Sequence, residues 1–510
     1  MSLKKQWNVY LIHHSHTDIG YTERQDKIIN YHCDFIKQAI DILNDIHVNE
    51  KEEYKGFIWQ CENYWQVKNF YAHASQSYID DFEKYVRSGE IGLSGNYLNM
   101  TELISKDVLD TRLEQARVYG EKIGHFVTAG MAADINGFAW GYADALYNHG
   151  IRYLYSCLHP HHGMFPLYKK VMPFYWESTN GHKVLVWNGE HYHFGNEMFL
   201  APHGGTSYMT YDEFLKRIIN HDILKTSSEE TEKTENKIAT FRMECFLENL
   251  EEEGYPYELV SFMVSGAITD NAPPSAEIAR RVNQLNDYYK GKFHFQMVTL
   301  EQFFTKVEEQ CQDIPVYSGD WNDWWADGVG STPVAVKVFC DARRKYNICK
   351  KLDMDGCLGN AELMDKAAEA FPFTAGEEEV RYIDKTGCII RPGVDQLPGS
   401  NMEFYLLQNG IILEGTDKTV TIAVKDAPLV TFGELEAKPV HLCDGNNMEV
   451  NRGDIYSWVM NNFWETNFKV DLGGFYEFSY TISTHDKMKK EEAIKICEAD
   501  NEGILGFYIK

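Results

Sequence analysis

The run from Asn8 to Tyr21, NVYLIHHSHTDIGY, begins with the apolar, β-prone residues Val9, Tyr10, Leu11 and Ile12 and then turns abruptly into His13, His14, His16 and Asp18. Side chains two apart on a strand share a face, so His14, His16 and Asp18 are expected to project together. Imidazole nitrogen and carboxylate oxygen are the donors that zinc and related divalent ions take. A buried strand ending in such groups is costly unless they bind something. The bland alternative is a strand end whose histidines border an exposed loop.

Three further apolar runs empty into polar clusters. GMAADINGFAWG, residues 130–141, places Asp134 at a strand end, where it either serves chemistry or caps the helical stretch Ala143–Asn148. VLVWNGEHYHFG, residues 184–195, leads into Glu190, His191 and His193. Its two histidines, two apart, suit metal ligation, contacts to substrate hydroxyls or mutual packing. ELVSFMVSGAITDNAPPS, residues 258–275, ends in Asp270, either an acid for the same pocket or part of an Asx turn before the prolines.

These clusters need elements to hold them. Strands are predicted at Val9–Ile12, Gly56–Gln60, Val127–Ala132, Tyr153–Ser156, Val184–Asn188 and Leu259–Val264, with helical spacing between them, as in Lys27–Asn44 and Thr111–Lys122. Such alternation implies an α/β fold with a parallel sheet, open or closed into a barrel, whose chemistry gathers at the C-terminal strand ends. Residues 301–374 read as a linker and short helical bundle, with Ala335–Lys351 its clearest helix. From about Val380, alternating strands with Gly, Asp and Asn turns predict an antiparallel β-sandwich, giving domains at 1–300, 301–374 and 375–510.

Composition narrows the partners. A formal net charge of −27 over 510 residues argues against nucleic acid and anionic membrane surfaces and is compatible with a neutral substrate such as a sugar. Eleven cysteines without a CxxC pair suggest reduced thiols and a cytoplasmic location. No signal peptide and no membrane span are expected. Homo-oligomerisation stays open.

HSHTDIGY resembles the HSHNDPGW-type motif that opens glycoside hydrolase family 38, the zinc-dependent retaining α-mannosidases, and GMAADINGFAWG is similar to the family's nucleophile segment GWAIDPFGHS. FIWQCENYW (57–65) resembles a family strand ending in Glu, and IGLSGNYLNMTE (91–102) the strand with WVExD-like residues. The resemblance implies a seven-stranded α/β barrel, His16 and Asp18 as zinc ligands, and Asp134 as both ligand and nucleophile. In the family, zinc contacts the hydroxyls at carbons 2 and 3 of the mannose ring. The family's further ligand, a bundle His in HHDAITGT or FHDILPGS, has no counterpart between Ala335 and Phe373, so His193 is the candidate replacement, with His191 beside it. Asp270 is the candidate general acid. His14, Tyr21, His191 and Trp321 are candidate substrate contacts, and Trp59, Tyr97 and Trp321 candidate walls of a sugar site, core packing being the commoner use of such rings. The expected reaction is retaining, metal-assisted hydrolysis of α-mannosides or related α-glycosides. The alternatives are a carbohydrate-binding pseudoenzyme and a metal-dependent amidohydrolase.

Overall fold

The computed structural model describes residues 3–20, 22–99, 102–135, 137–157, 166–201, 229–267, 270–288, 291–352, 380–432, 455–460 and 474–503. The first strand, β1 (Trp7–His14), is buried along its length apart from Asn8. Its apolar residues fill both faces because both are covered, as a parallel sheet requires. β1 runs parallel between β9 (Leu259–Ser265) and β10 (Phe293–Met297). A second parallel pair joins β2 (Trp59–Gln60) to β3 (Ile91–Gly92). A third group sets β4 (Ala129–Ala133), β6 (Tyr153–Cys157) and β8 (Lys183–Gly189) parallel, with β7 (Met172–Glu177) antiparallel on β8 and β11 (Val316–Ser318) parallel on β7. Among the described residues these remain separate sheets of three, two and five strands, and none closes on itself.

All six predicted strands form. The helical stretches grow to Gln25–Val48 and Lys106–Ile123, and β3, β7, β10 and β11 were not foreseen from periodicity. β10, FHFQM, exposes His294 and Gln296 and buries its phenylalanines and Met297, a half-buried edge pattern unlike the continuous apolar runs that guided the prediction. The stretch after residue 300, expected to be a linker and a helical bundle, also contains strands. After the helix Leu300–Gln310, which opens with a Thr299 and Gln302 capping box, the chain returns to the α/β region through β11 and through β12 (Trp321–Asn322). β12 pairs antiparallel with β5 (Gly137–Phe138). Among the described residues, the helix Pro333–Leu352 lies in the stretch expected to form the bundle, and residues 353–379 lie outside the described ones.

The C-terminal part holds two antiparallel sheets. Five strands, β13 (Val380–Lys385), β14 (Cys388–Ile390), β16 (Gly410–Glu414), β17 (Lys418–Val424) and β20 (Tyr480–Asp486), face three, β15 (Tyr405–Leu406), β18 (Leu429–Phe432) and β19 (Ile455–Ser457). Ile383, Ile411, Leu413 and Ile422 from the first sheet share one core with Tyr405, Val430 and Phe432 from the second, the arrangement of a sandwich. No described helix is long and apolar enough to cross a membrane.

Candidate metal and catalytic centre

β1 ends at His14, and Ser15 to Asp18 form the loop beyond it. His16 Nε2 lies 3.7 Å from Asp18 Oδ1 and 3.7 Å from Asp134 Oδ2. One donor atom from each of these three residues falls within 4.8 Å of the others, the only such metal-ligating group among the described residues. The His16 side chain is 2% exposed, whereas Asp18 and Asp134 are 18% and 19% exposed, so the carboxylates border an opening that an ion or substrate can enter.

Asp134 follows the last residue of β4 and sits in the left-handed region, with φ 56°. Such a conformation costs a non-glycine residue roughly 1–3 kcal/mol and persists only where the surroundings impose it. The surroundings here include Gly137, with φ +91°, where an added Cβ would lie 2.3 Å from the Trp321 carbonyl. The helix Gly141–Asn148 takes Trp140 as its N-cap and has no side-chain cap, so Asp134 is not spent on capping.

His16 is aimed by Glu62, a residue the sequence reading named only as part of a resembling strand. Glu62 Oε1 is 2.8 Å from His16 Nδ1. Holding Nδ1–H this way leaves Nε2 as the donor atom facing Asp18 and Asp134, the usual arrangement around a metal-binding imidazole. Glu62 Oε2 accepts from the Thr17 hydroxyl at 2.9 Å, and Oε1 also accepts from Asn99 Nδ2 at 3.1 Å. Asn99 Oδ1 in turn accepts the Ala133 N–H at 3.0 Å, tying the end of β4 to the Glu62 loop. The Tyr192 ring stacks on His16 at 4.0 Å. Asn271 clasps the Asp18 backbone on both sides, accepting its N–H at 3.2 Å and donating to its carbonyl at 2.9 Å. Glu62 carried one legible signal, an acid just past the run Phe57–Gln60, and Asn271 another, a polar residue just past the strand Leu259–Val264; Asn99 and Tyr192 carried none.

Charge in this cluster is unbalanced. Burial alone would depress the His16 imidazole, but the Glu62 charge and hydrogen bonds to Asp134 and Glu62 lift its pKa well above the usual histidine value. Burial would raise the Glu62 carboxyl, yet the charge and hydrogen bond of His16 bring it down to about 2. Burial, with Asp270, Asp134 and Glu62 nearby, pushes Asp18 up to about 6 against the pull of His16. The acids Asp18, Asp134, Glu62 and Asp270 thus crowd one imidazole, a set that a divalent cation would help neutralise. One nitrogen and two oxygen donors suit zinc, and three protein donors leave a position for substrate or water.

The other predicted residues fall in several places. Asp270 Oδ1 is 2.5 Å from His193 Nε2, both buried, and its charge acts on His16 and Asp18. His193 therefore spends that nitrogen on Asp270 and does not fall within the group formed by His16, Asp18 and Asp134. His191 Nδ1 accepts the His193 backbone N–H at 3.2 Å and its ring lies 4.1 Å from Tyr192. His14 packs edge-on to Tyr192, and burial holds its pKa down at about 4, so it is neutral. Tyr21 lies outside the described residues. Trp321 is not a sugar wall: it is 1% exposed and packs on Phe138, Phe174 and Trp176, because the strand carrying it turns its side chain into the core. Trp59 is buried against His13. Tyr97 carries the Arg112 guanidinium over its ring at 5.0 Å. His13 is structural, accepting the Ser275 N–H at Nε2 and facing the Val264 carbonyl with Nδ1, each at 3.1 Å.

An α/β region with a His, Asp, Asp cluster at its strand ends, followed by paired antiparallel sheets, agrees with one sequence family. Residues 6–320 match the model of the glycosyl hydrolases family 38 N-terminal domain, and the chain belongs to that family. Among solved structures it is similar to an alpha-mannosidase from Enterococcus faecalis V583, with 14% identity, a TM-score of 0.46 and coverage of 69% of this chain and 36% of that one. A second family 38 protein from Enterococcus faecalis gives 10% identity, a TM-score of 0.42 and coverage of 69% and 34%. A GH57-type branching enzyme from Pyrococcus horikoshii gives 13%, 0.40, and coverage of 68% and 79%. The chain thus spans about a third of the length of the two family 38 structures. No curated protein matches it.

Proposed function

We propose that the protein is a metal-dependent retaining glycoside hydrolase acting on α-mannosides or related α-glycosides. The observation that carries this reading is the convergence of His16, Asp18 and Asp134 with Glu62 locking the imidazole, in a chain of family 38. His16, Asp18 and Asp134 would hold Zn²⁺, which when bound supplies positive charge that keeps both carboxylates ionised and orients sugar hydroxyls. Asp134, presented on its strained turn, attacks the anomeric carbon and forms a glycosyl ester. Asp270 gives a proton to the leaving oxygen and then takes one from the incoming water, with His193 fixing its carboxyl. His14 and His191 would be the sugar contacts among the described residues. The α/β region would correspond to the family's seven-stranded barrel, with the domain limits given above and a cytoplasmic location.

The test is metal analysis of the purified protein together with hydrolysis of an aryl α-mannoside, with and without chelator. About one zinc per chain and chelator-sensitive release of the aglycone are expected. Neither metal nor turnover would overturn the reading in favour of a carbohydrate-binding protein without catalysis.

A further inference from the structure

The C-terminal sheets reach the loop of Asp134 through a buried ionic cluster. Lys385, the last residue of β13, is fully buried, as are Glu102 and Asp320 of the α/β region. Lys385 Nζ lies 2.6 Å from Glu102 Oε2 and 3.4 Å from Asp320 Oδ2. Asp320 Oδ1 in turn accepts the Trp140 backbone N–H at 2.9 Å, six residues beyond Asp134. The turn after Lys385 braces the same loops. Thr386 Oγ1 donates to the carbonyls of Glu102 and Ile104, the Gly141 N–H points at Cys388 Sγ at 3.3 Å, and a Cβ on Gly141 would sit 2.3 Å from the Thr386 carbonyl. One cation faces two buried carboxylates, so burial and mutual repulsion raise the Glu102 carboxyl to about 8 and also raise Asp320. A cluster this expensive to bury is weak support for stability as such, and its geometry connects two regions at the edge of the candidate site.

We infer that Lys385 is a positioning residue: through Asp320 and Glu102 it holds the loop from Asp134 to Gly141 in place, so that the α/β site is completed by the C-terminal sheets. Lys385 is not one of the metal-ligating residues. Its part is to fix Asp320 so that the Trp140 amide, and with it the strained turn at Asp134, has one position. The inference rests on the proposed function only for its kinetic readout.

The experiment compares the whole chain with Lys385→Met and with the triple variant Lys385→Met, Glu102→Gln, Asp320→Asn, which leaves no buried charge unpaired. Hydrogen exchange is followed at the Trp140 and Gly141 amides, alongside kcat and KM for an aryl α-mannoside. Both variants are expected to exchange those amides at least about tenfold faster, while the amides of β17 stay protected. kcat should fall by roughly 10²-fold with KM nearly unchanged, the signature of a misplaced reacting group. Should Lys385→Met not fold, the triple variant decides. A folded triple variant with wild-type exchange at Trp140 and Gly141 overturns the inference. A wild-type protein without turnover refutes the glycosidase reading instead, and the exchange result still decides the role of Lys385.

Discussion

The sharpest consequence of the site's construction concerns Glu62→Gln. Glu62 accepts from His16 and Asn99 on one oxygen and from Thr17 on the other. A glutamine can place its carbonyl toward His16 and Asn99, but its amide nitrogen then meets Thr17 Oγ1. That hydroxyl already accepts from Asn63 Nδ2 at 3.0 Å and Gln66 Nε2 at 2.8 Å, so both of its lone pairs are taken. A donor is left facing donors, at about 1–3 kcal/mol. The imidazole also loses a charged partner that fixes its tautomer, a change that lowers metal affinity by about 10- to 100-fold in comparable sites. That range corresponds to roughly 1.4–2.7 kcal/mol. Zinc affinity measured by competition with a chromophoric chelator, with thermal unfolding on the same samples, separates the two effects. A folded Glu62→Gln protein that binds zinc as tightly as wild type would refute the claim that Glu62 sets up His16 as a ligand.

Four further outcomes follow from the same geometry. Asp134→Ala should remove turnover of an aryl α-mannoside while circular dichroism and the unfolding midpoint stay close to wild type; near-wild-type rates would sink Asp134 as nucleophile. His193→Gln should leave zinc stoichiometry at its wild-type value, because His193 is engaged with Asp270 rather than the cluster, and loss of metal in that variant would make it a ligand after all. Gly137→Ala should destabilise the protein by roughly 2–4 kcal/mol, since φ is positive there and the new Cβ meets the Trp321 carbonyl; a urea midpoint within error of wild type counts against the packed turn. Acid should destabilise the fold through His13 and His32, whose burial lowers their pKa to about 3 and about 4. Above pH 6.5 both states are neutral, and as pH falls toward 4 only the unfolded chain gains the protons. Each histidine therefore costs up to about 1.4 kcal/mol per pH unit across that window. A His13→Gln, His32→Gln double variant should flatten the dependence of unfolding midpoint on pH, and an unchanged slope would exclude these two residues as its source.

What the sequence by itself determined is the set of strands that end in chemistry. Apolar runs emptying into HHSHTD and AADING marked β1 and β4, because a strand buried on both faces must be apolar until it leaves the core, and the polar residues just beyond it are then at a strand end. The change to alternating strands near Val380 was equally legible, since a half-buried antiparallel sheet writes period two into the chain. Tertiary structure alone decided which of the polar residues meet. His193 and Asp270 are far apart in the chain and pair only because β8 and β9 end in the same place. Trp321 and the metal-site loop carry equally plausible sugar-site residues, but whether a ring faces core or opening depends on the sheet it joins. Glu62, Asn99 and Lys385 act through contacts of long sequence separation, for which no local period or turn signal exists.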